Sequence, residues 1–175
     1  MTSIFKQSET VPFFDSLISS GKAWRFSTGR LLVTASGQYA SLHFHTPDSG
    51  KHIYYSFARI SKTGAEVEIT LVEGGEYSGG VETQIWNMNR RPEYANGVSG
   101  LTNVSCGVSP TTTISGGWNA PGYVIPGASQ GVVKNGGTSE GGFLCLASDE
   151  DYTVKATALD VNTYIDMMVN VGIYP

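Results

Sequence analysis

Apolar and polar side chains alternate residue by residue along most of this chain, and no other sequence feature constrains the fold as strongly. Within the segment 65–73, every second residue from Val67 to Leu71 is aliphatic, and the residues between them are Glu or Thr. Successive side chains of a β-strand point to opposite faces of its sheet, so this pattern predicts an antiparallel strand with one buried face. The same period predicts further strands over 22–28, 39–45, 53–60, 83–89, 104–113, 142–147, 152–159 and 163–174.

Turn-forming segments separate these predicted strands, and no helical stripe long enough for a crossover connection lies between them. The segments 47–50 and 61–64 have the composition of short hairpin turns. About eight to ten strands separated by such turns predict an all-β fold, an antiparallel two-sheet β-sandwich, and exclude a parallel α/β fold. The 22 glycines and the charged fraction of 15% agree with a turn-rich protein and exclude a charged helical one.

Residues 1–21 differ from the rest and are predicted to form an N-terminal arm, followed by one sandwich domain over 22–175. Phe14, Leu17 and Ile18 fall on one face of one or two helical turns that Gly21 would end. An isolated helix this short is marginal in water, so it must dock on its own sandwich or on a neighbouring molecule. If it docks on a neighbour, deleting residues 1–20 leaves the sandwich folded.

Charge and hydropathy exclude several kinds of partner. The net charge is −4, and no run of basic residues exceeds Arg90-Arg91, so we predict no nucleic-acid partner. No apolar stretch approaches 18 residues, so we predict no membrane partner. The first seven residues lack the pattern of a signal peptide, which favours a reducing cytosol. Cys106 and Cys145 are therefore expected to be free buried thiols.

Three histidines are the candidates for a metal site. His43 and His45 share one face of a predicted strand, and His52 begins the strand expected to pair with it across a hairpin. Zinc accepts three imidazole ligands. The alternative is that these side chains line a polar sheet face or a subunit contact, because no carboxylate lies near them in sequence to orient them.

Catalytic patterns are weak, so we predict no enzyme activity and no cofactor. Two G-x-S-x-G matches, at 127–131 and 137–141, lack the strand before and the helix after the serine that a nucleophile elbow needs. Glu66 and Glu68 are expected to be solvated on an outer sheet face, and the acids of 149–151 lie in a turn. Neither set is placed as the facing carboxylate pair of a glycosidase.

Two long segments between strands carry the candidate contact residues. Long loops with few charges and several aromatic residues, held by a rigid sandwich, are common contact sites, and Trp and Arg often dominate protein interfaces. The predicted partner contacts are Ile4, Phe5, Phe13, Phe14, Arg90, Arg91, Tyr94, Trp118 and Tyr123. Alternatively, these aromatic side chains only cover the ends of the sandwich, or Trp118, Tyr123 and Tyr94 stack on sugar rings.

The order of several short motifs resembles a family of virion proteins. The chain has Trp24-Arg25-Phe26 after the arm, an N-x-N-R element at 87–90 before a polar loop, and a Y-x-V strand at 152–154 near the end. From about residue 20 to 175, this pattern resembles the jelly-roll cement, or head-decoration, proteins of tailed bacteriophages.

The resemblance implies a jelly-roll sandwich without catalytic activity. Such a protein is made in the host cytoplasm, binds the exterior of the assembled capsid in the virion, and bridges neighbouring subunits of the major capsid protein. It would also self-associate as a dimer or trimer. The alternative left open is a receptor- or glycan-binding tip module of a phage tail fibre or spike.

Overall fold

The computed structural model describes residues 14–48, 50–62, 66–95, 99–120, 123–125, 133–134 and 144–174. The fold is all-β, as predicted, and the helical turns among these residues are at 14–19 (α1) and Pro92–Ala95 (α2). The strands are β1 (Ala23–Ser27), β2 (Leu31–Val33), β3 (Tyr39–His45), β4 (His52–Lys62), β5 (Val67–Glu73), β6 (Glu76–Ser78), β7 (Val81–Glu82), β8 (Ile85–Asn87), β9 (Thr102–Val108), β10 (Thr113–Ser115), β11 (Trp118–Asn119), β12 (Tyr123–Ile125), β13 (Val133–Lys134), β14 (Leu144–Leu146), β15 (Asp151–Ala158) and β16 (Thr163–Tyr174).

The strands pair as the two arms of one long hairpin. The outermost pair joins β1 to β16, the next joins β3 to β15, then β4 pairs with β14 and β5 with β12, all antiparallel. Successive pairs fall alternately in two sheets, because the doubled chain winds around a common core. This arrangement is a jelly-roll sandwich, so the predicted fold class is confirmed.

The two sheets therefore have matching strand orders. The first sheet runs β13-β4-β16-β1-β8, with β14 also beside β4 and β2 beside β16. The second sheet runs β11-β5-β15-β3-β9-β7, with β12 also beside β5. A separate two-stranded β6–β10 ribbon lies over the outer face of the second sheet, where Tyr77 contacts His43.

The two predicted hairpin turns were wrong. The segment after β3 leads to β4 in the other sheet, and the segment after β4 leads back to β5 in the second sheet. A turn-rich composition fixes where the chain reverses, but it does not fix which strand becomes the neighbour. Each strand here buries its apolar face between the sheets, and its sheet partners come from the distant arm of the long hairpin.

The core fills the space between the sheets with the alternating residues of the sequence pattern. The rings of Phe26 and Phe44 meet edge-on across it at 5.3 Å, and both side chains are fully buried. In β5, Val67 and Ile69 point inward, whereas Glu68 is exposed, as the alternation predicts. Burying such apolar side chains contributes about 1.5–3 kcal/mol each, so the inner faces supply most of the stabilisation.

Both cysteines are free thiols, as expected for a reducing environment, but they differ in burial. Cys106 lies in the core, where burial raises the pKa of its thiol. Cys145 is exposed, so the expectation of burial was wrong for it. The reason is its position on β14, which pairs only with β4 within the described residues.

The described part of the N-terminal arm docks on its own sandwich. Phe14 and Leu17 are buried on the outer face of the first sheet, where they form a small cluster with Ala23. The same two side chains cover Gly172, where an added Cβ would lie 2.6 Å from Leu17 Cδ1. Of the two dockings that the sequence left open, the structure has the intramolecular one.

Gly21 ends α1 as the sequence predicts. Its φ of 71° lies in the left-handed region, its N–H donates to the Ile18 carbonyl at 3.0 Å, and the Lys22 N–H donates to the Leu17 carbonyl at 2.8 Å. These two bonds form a Schellman motif. An added Cβ on Gly21 would also lie 2.3 Å from the Tyr94 ring. Glycine is therefore required both by the left-handed backbone and by the close approach of Tyr94.

The N-x-N element at the start of the polar loop holds this helix end, and we refer to Asn87 and Asn89 as the asparagine clamp. The Asn87 amide donates to the Gly21 carbonyl at 2.7 Å, and the Asn89 amide donates to the Ser19 carbonyl at 2.9 Å. The Asn87 side-chain oxygen also accepts the Asn89 backbone N–H at 2.8 Å. Helix carbonyls without an intrahelical partner are thereby satisfied.

We expect Asn87→Ala to destabilise the protein by about 1–3 kcal/mol, because Asn87 is 2% exposed and its loss leaves the buried Asn89 N–H and the part-buried Gly21 carbonyl without this partner. Urea denaturation followed by tryptophan fluorescence would measure the change. The matched control is Asn119→Ala at an exposed position, which should shift stability by less than about 0.5 kcal/mol. Equal urea midpoints for Asn87→Ala and Asn119→Ala would contradict a stabilising role of the asparagine clamp.

Candidate functional site

The described residues form a polar groove between the outer face of the second sheet and the β6–β10 ribbon. It has two adjoining halves of about 520 and 510 Å³. Both halves are lined by His43, Tyr77, Ser78 and Asn103, and we name this feature the Tyr77 groove. The volume of each half falls within the range of small-molecule sites, which is about 300–1,000 Å³.

Strand alternation places the histidines of β3 on this outer face. Leu42 and Phe44 enter the core, so His43 and His45 share the opposite side, as the sequence predicts. The Tyr77 ring stacks on the His43 ring with a centroid distance of 4.6 Å and an interplanar angle of 4°. The ribbon therefore buries His43 to 5% exposure, although His43 lies outside the core.

The register of β3 with β15 brings carboxylates to both imidazoles. His45 is directly opposite Asp151, and His43 is opposite Thr153. His45 Nδ1 lies 3.1 Å from the Asp151 carboxylate, and His45 Nε2 lies 3.3 Å from the Asp149 carboxylate. His43 Nδ1 bonds the Thr153 hydroxyl at 2.9 Å, and its Nε2 lies 3.4 Å from Asp151 Oδ1. Sequence reasoning missed these carboxylates because they lie more than 100 positions away.

Burial shifts the pKa values of both stacked side chains, His43 and Tyr77. Desolvation lowers the pKa of His43 below its ordinary value of 6.5, although the Asp151 carboxylate acts in the opposite direction. His43 is therefore neutral at pH 7. Burial also raises the pKa of the Tyr77 phenol, whose oxygen lies 3.2 Å from the Ser41 hydroxyl. This contact fixes the ribbon to the second sheet.

The three histidines considered as a candidate zinc set do not converge. His52 begins β4 in the first sheet, opposite Tyr174, whereas His43 and His45 lie on the second sheet. The candidate set required β3 and β4 to pair across a hairpin, and they do not. Among the residues that the structure describes, no group of three or more His, Cys, Asp or Glu side chains is arranged to hold a metal ion.

The predicted contact residues have different environments. Phe14 is 7% exposed and contacts its own sheet, so it offers little surface to a partner. Arg90 and Arg91 are exposed, and Tyr94 packs against Gly21. Tyr123 is described only as the first residue of β12. Ile4, Phe5 and Phe13 lie outside the described residues, as do both G-x-S-x-G segments, 127–131 and 137–141.

Trp118 is 62% exposed on β11 at one edge of the second sheet. Tyr94 belongs to α2, which contacts β8 at the far edge of the first sheet. The Thr83 hydroxyl donates to the Ser27 carbonyl, and the Thr83 N–H donates to the Val104 carbonyl, so β8 and β9 lie on the same side of the sandwich. Trp118 and Tyr94 are thus on opposite sides and cannot stack on one sugar ring.

Large apolar side chains are exposed on several edge strands. Trp118 on β11 is 62% exposed, Leu144 on β14 is 52% exposed, and Val81 on β7 is 74% exposed. Strands β11 and β14 border β5 and β4, which occupy equivalent places in the two sheets, so both lie on one side of the sandwich. Strand β7 lies on the other side.

Comparisons with known proteins give no relative: no family model, no curated protein and no solved structure matches this chain. Neither helix in the described ranges has the length and apolar character needed to cross a membrane.

The lowered pKa of His43 predicts an acid-dependent loss of stability. Because the unfolded chain binds a proton near pH 6.5 and the folded state resists it, the His43 contribution is complete above pH 6.5 and is lost as pH falls toward the lowered folded pKa. We expect the urea midpoint of the wild type to fall between pH 7.5 and 5 more steeply than that of His43→Asn. Asn119→Ala at an exposed position changes no titratable group, so it is the control and should keep the wild-type slope. Parallel slopes for wild type and His43→Asn would contradict this assignment.

Proposed function

We propose that this protein is a structural protein of a tailed-bacteriophage virion that binds the capsid exterior and bridges neighbouring subunits of the major capsid protein. It acts by adhesion, as a homo-oligomeric dimer or trimer, and has no enzymatic role. The sequence motifs described above support the phage setting. The exposed apolar side chains on the edge strands support the adhesive mode of action.

The observation that carries the proposal is the side of the sandwich formed by β11 and β14. Edge strands present backbone N–H and C=O groups that a partner can pair with. Here Trp118 and Leu144 add exposed apolar area on two such strands, one from each sheet. Exposed apolar side chains beside unpaired edges are typical of protein contact sites, and Trp is the residue type that most often dominates them.

A rigid sandwich fits this role energetically. The jelly roll orders its edges before binding, so little conformational entropy is lost when they meet a partner. Binding that occurs only on the assembled shell shifts assembly toward completion by linkage. Many copies on one shell, or several within one oligomer, make a modest affinity per site sufficient.

The structure narrows the predicted contact set. Phe14 and Tyr94 contact this chain's own Gly172 and Gly21, so we remove both from the proposed contacts. Trp118 remains the principal one, and Arg90 and Arg91 remain as exposed cations on the other side. Any contribution of the arm to capsid binding then rests on residues before 14.

Trp118→Ala should weaken capsid binding by roughly 30-fold, the effect of losing an interface hot spot of about 2 kcal/mol. The probe is undecorated capsids assembled from the major capsid protein of the phage that encodes this chain, and the readout is co-sedimentation over a concentration series. The melting temperature should stay unchanged, because the side chain is mostly exposed.

Val81→Ala is the matched control, since Val81 is also exposed and apolar but lies on the opposite side of the sandwich. It should bind capsids like the wild type. Absence of wild-type co-sedimentation would overturn the proposed function. Equal binding by wild type and Trp118→Ala would leave the function but overturn the assignment of the β11 and β14 side.

A further inference from the structure

No residue of β11 or β14 is among the described residues that line the Tyr77 groove, and the proposed capsid adhesion does not use this groove. It is formed by the β6–β10 ribbon and by the outer face of β3 and β9. Gly80 lines one half, and an added Cβ there would lie 2.8 Å from the Tyr77 ring and 3.1 Å from Ser105 Cβ. Glycine at this position therefore leaves the ring edge and the groove wall uncovered.

A β-bulge directs a polar side chain into this groove. The pairing of β3 with β9 shifts register between His43 and His45, and Asn103 in the shifted segment has a φ of 53°. Bulges re-aim side chains, and asparagine tolerates this left-handed backbone better than most residues. Asn103 lines both halves of the groove, and its amide makes no hydrogen bond to another described residue. The amide is thus available to a ligand, with two donors and one acceptor.

The charge of the groove favours a ligand that is not an anion. The described residues of its lining include the carboxylates of Glu76, Glu82 and Asp151, and none of them is Lys or Arg. His43 is neutral because it is buried. The Glu82 carboxylate, like the Asn103 amide, makes no hydrogen bond within the described part of the chain. A phosphate, sulfate or carboxylate ligand would be repelled, whereas hydroxyl donors would form charge-assisted bonds to these carboxylates.

The remaining lining groups are mainly hydroxyls beside an aromatic wall. The Ser78 and Thr113 hydroxyls bond each other, Ser105 donates to the Asn103 carbonyl and Ser115 to the Glu76 carboxylate, so each hydroxyl oxygen keeps a lone pair that can accept from a ligand. The Tyr77 ring, one face of which stacks on His43, lines both halves. An ammonium group would use only acceptors and would leave the Asn103 donors unpaired. A ring with several adjacent hydroxyls and an apolar face matches donors, acceptors and aromatic surface together. We propose that the Tyr77 groove binds a neutral saccharide, with Asn103 and Glu82 as its principal hydrogen-bonding residues.

The test is a glycan array that contains neutral, sialylated and amino-sugar glycans, followed by calorimetric titration of the best neutral glycan. We expect retention of a subset of neutral glycans. Glu82→Gln and Asn103→Gly should each weaken that binding by at least tenfold. Glycine accepts a φ of 53°, so Asn103→Gly removes the amide without straining the backbone, which the melting temperature would verify.

Glu68→Gln is the matched control, because Glu68 is an exposed carboxylate on β5 that does not line the groove. It should bind the glycan like the wild type. The proposal would be overturned by an array without retained glycans, by retention of only sialylated or amino-sugar glycans, or by binding that neither groove variant weakens. Capsid co-sedimentation is a separate assay that tests Trp118, which does not line the groove, so the two proposals can fail independently.

Discussion

The pairing of β3 with β15 is the interaction on which the rest of the structure depends. It joins residues about 110 positions apart, such as His43 and Thr153, at the centre of the second sheet. On the inner side it aligns Phe44 with Tyr152 in the core, and on the outer side it sets Asp151 beside His45. A slip of one residue would exchange the two faces, so core packing and the polar cluster are fixed by the same register.

The long-hairpin topology separates the four nested strand pairs from the segment 74–117, which lies between β5 and β11. Within this segment, β8 and β9 extend the two sheets beside β1 and β3, and β6 and β10 form the ribbon over the second sheet. The segment also supplies Tyr77 over the groove, the asparagine clamp on α1, and Asn103 at the bulge. Strands β11 and β14 lie outside it. The proposed capsid adhesion and the proposed saccharide binding therefore use different residues of one fold.

Local patterns predicted the parts of the fold that depend on neighbouring residues. Alternation located most long strands within a few residues, and Gly21 marked the end of α1 because a Schellman motif needs only nearby backbone groups. Strand partnership was missed, since the turns at 47–50 and 61–64 do not reveal which distant strand completes each sheet. The same limit hid the groove: the three short elements that build it, β6, β10 and the bulge at Asn103, carry no periodic signal. The sequence shows polar residues around His43 and, separately, around Asp151. Only the register of β3 with β15 brings these two groups together.

The most direct test of adhesion is electron cryo-microscopy of native virions that carry this protein. The account predicts two-sheet sandwich density on the capsid exterior, with the β11 and β14 side against the major capsid protein and the Tyr77 groove open to solvent. Density for this protein only at the tail tip, or capsid contacts made through the groove instead of the β11 and β14 side, would contradict it.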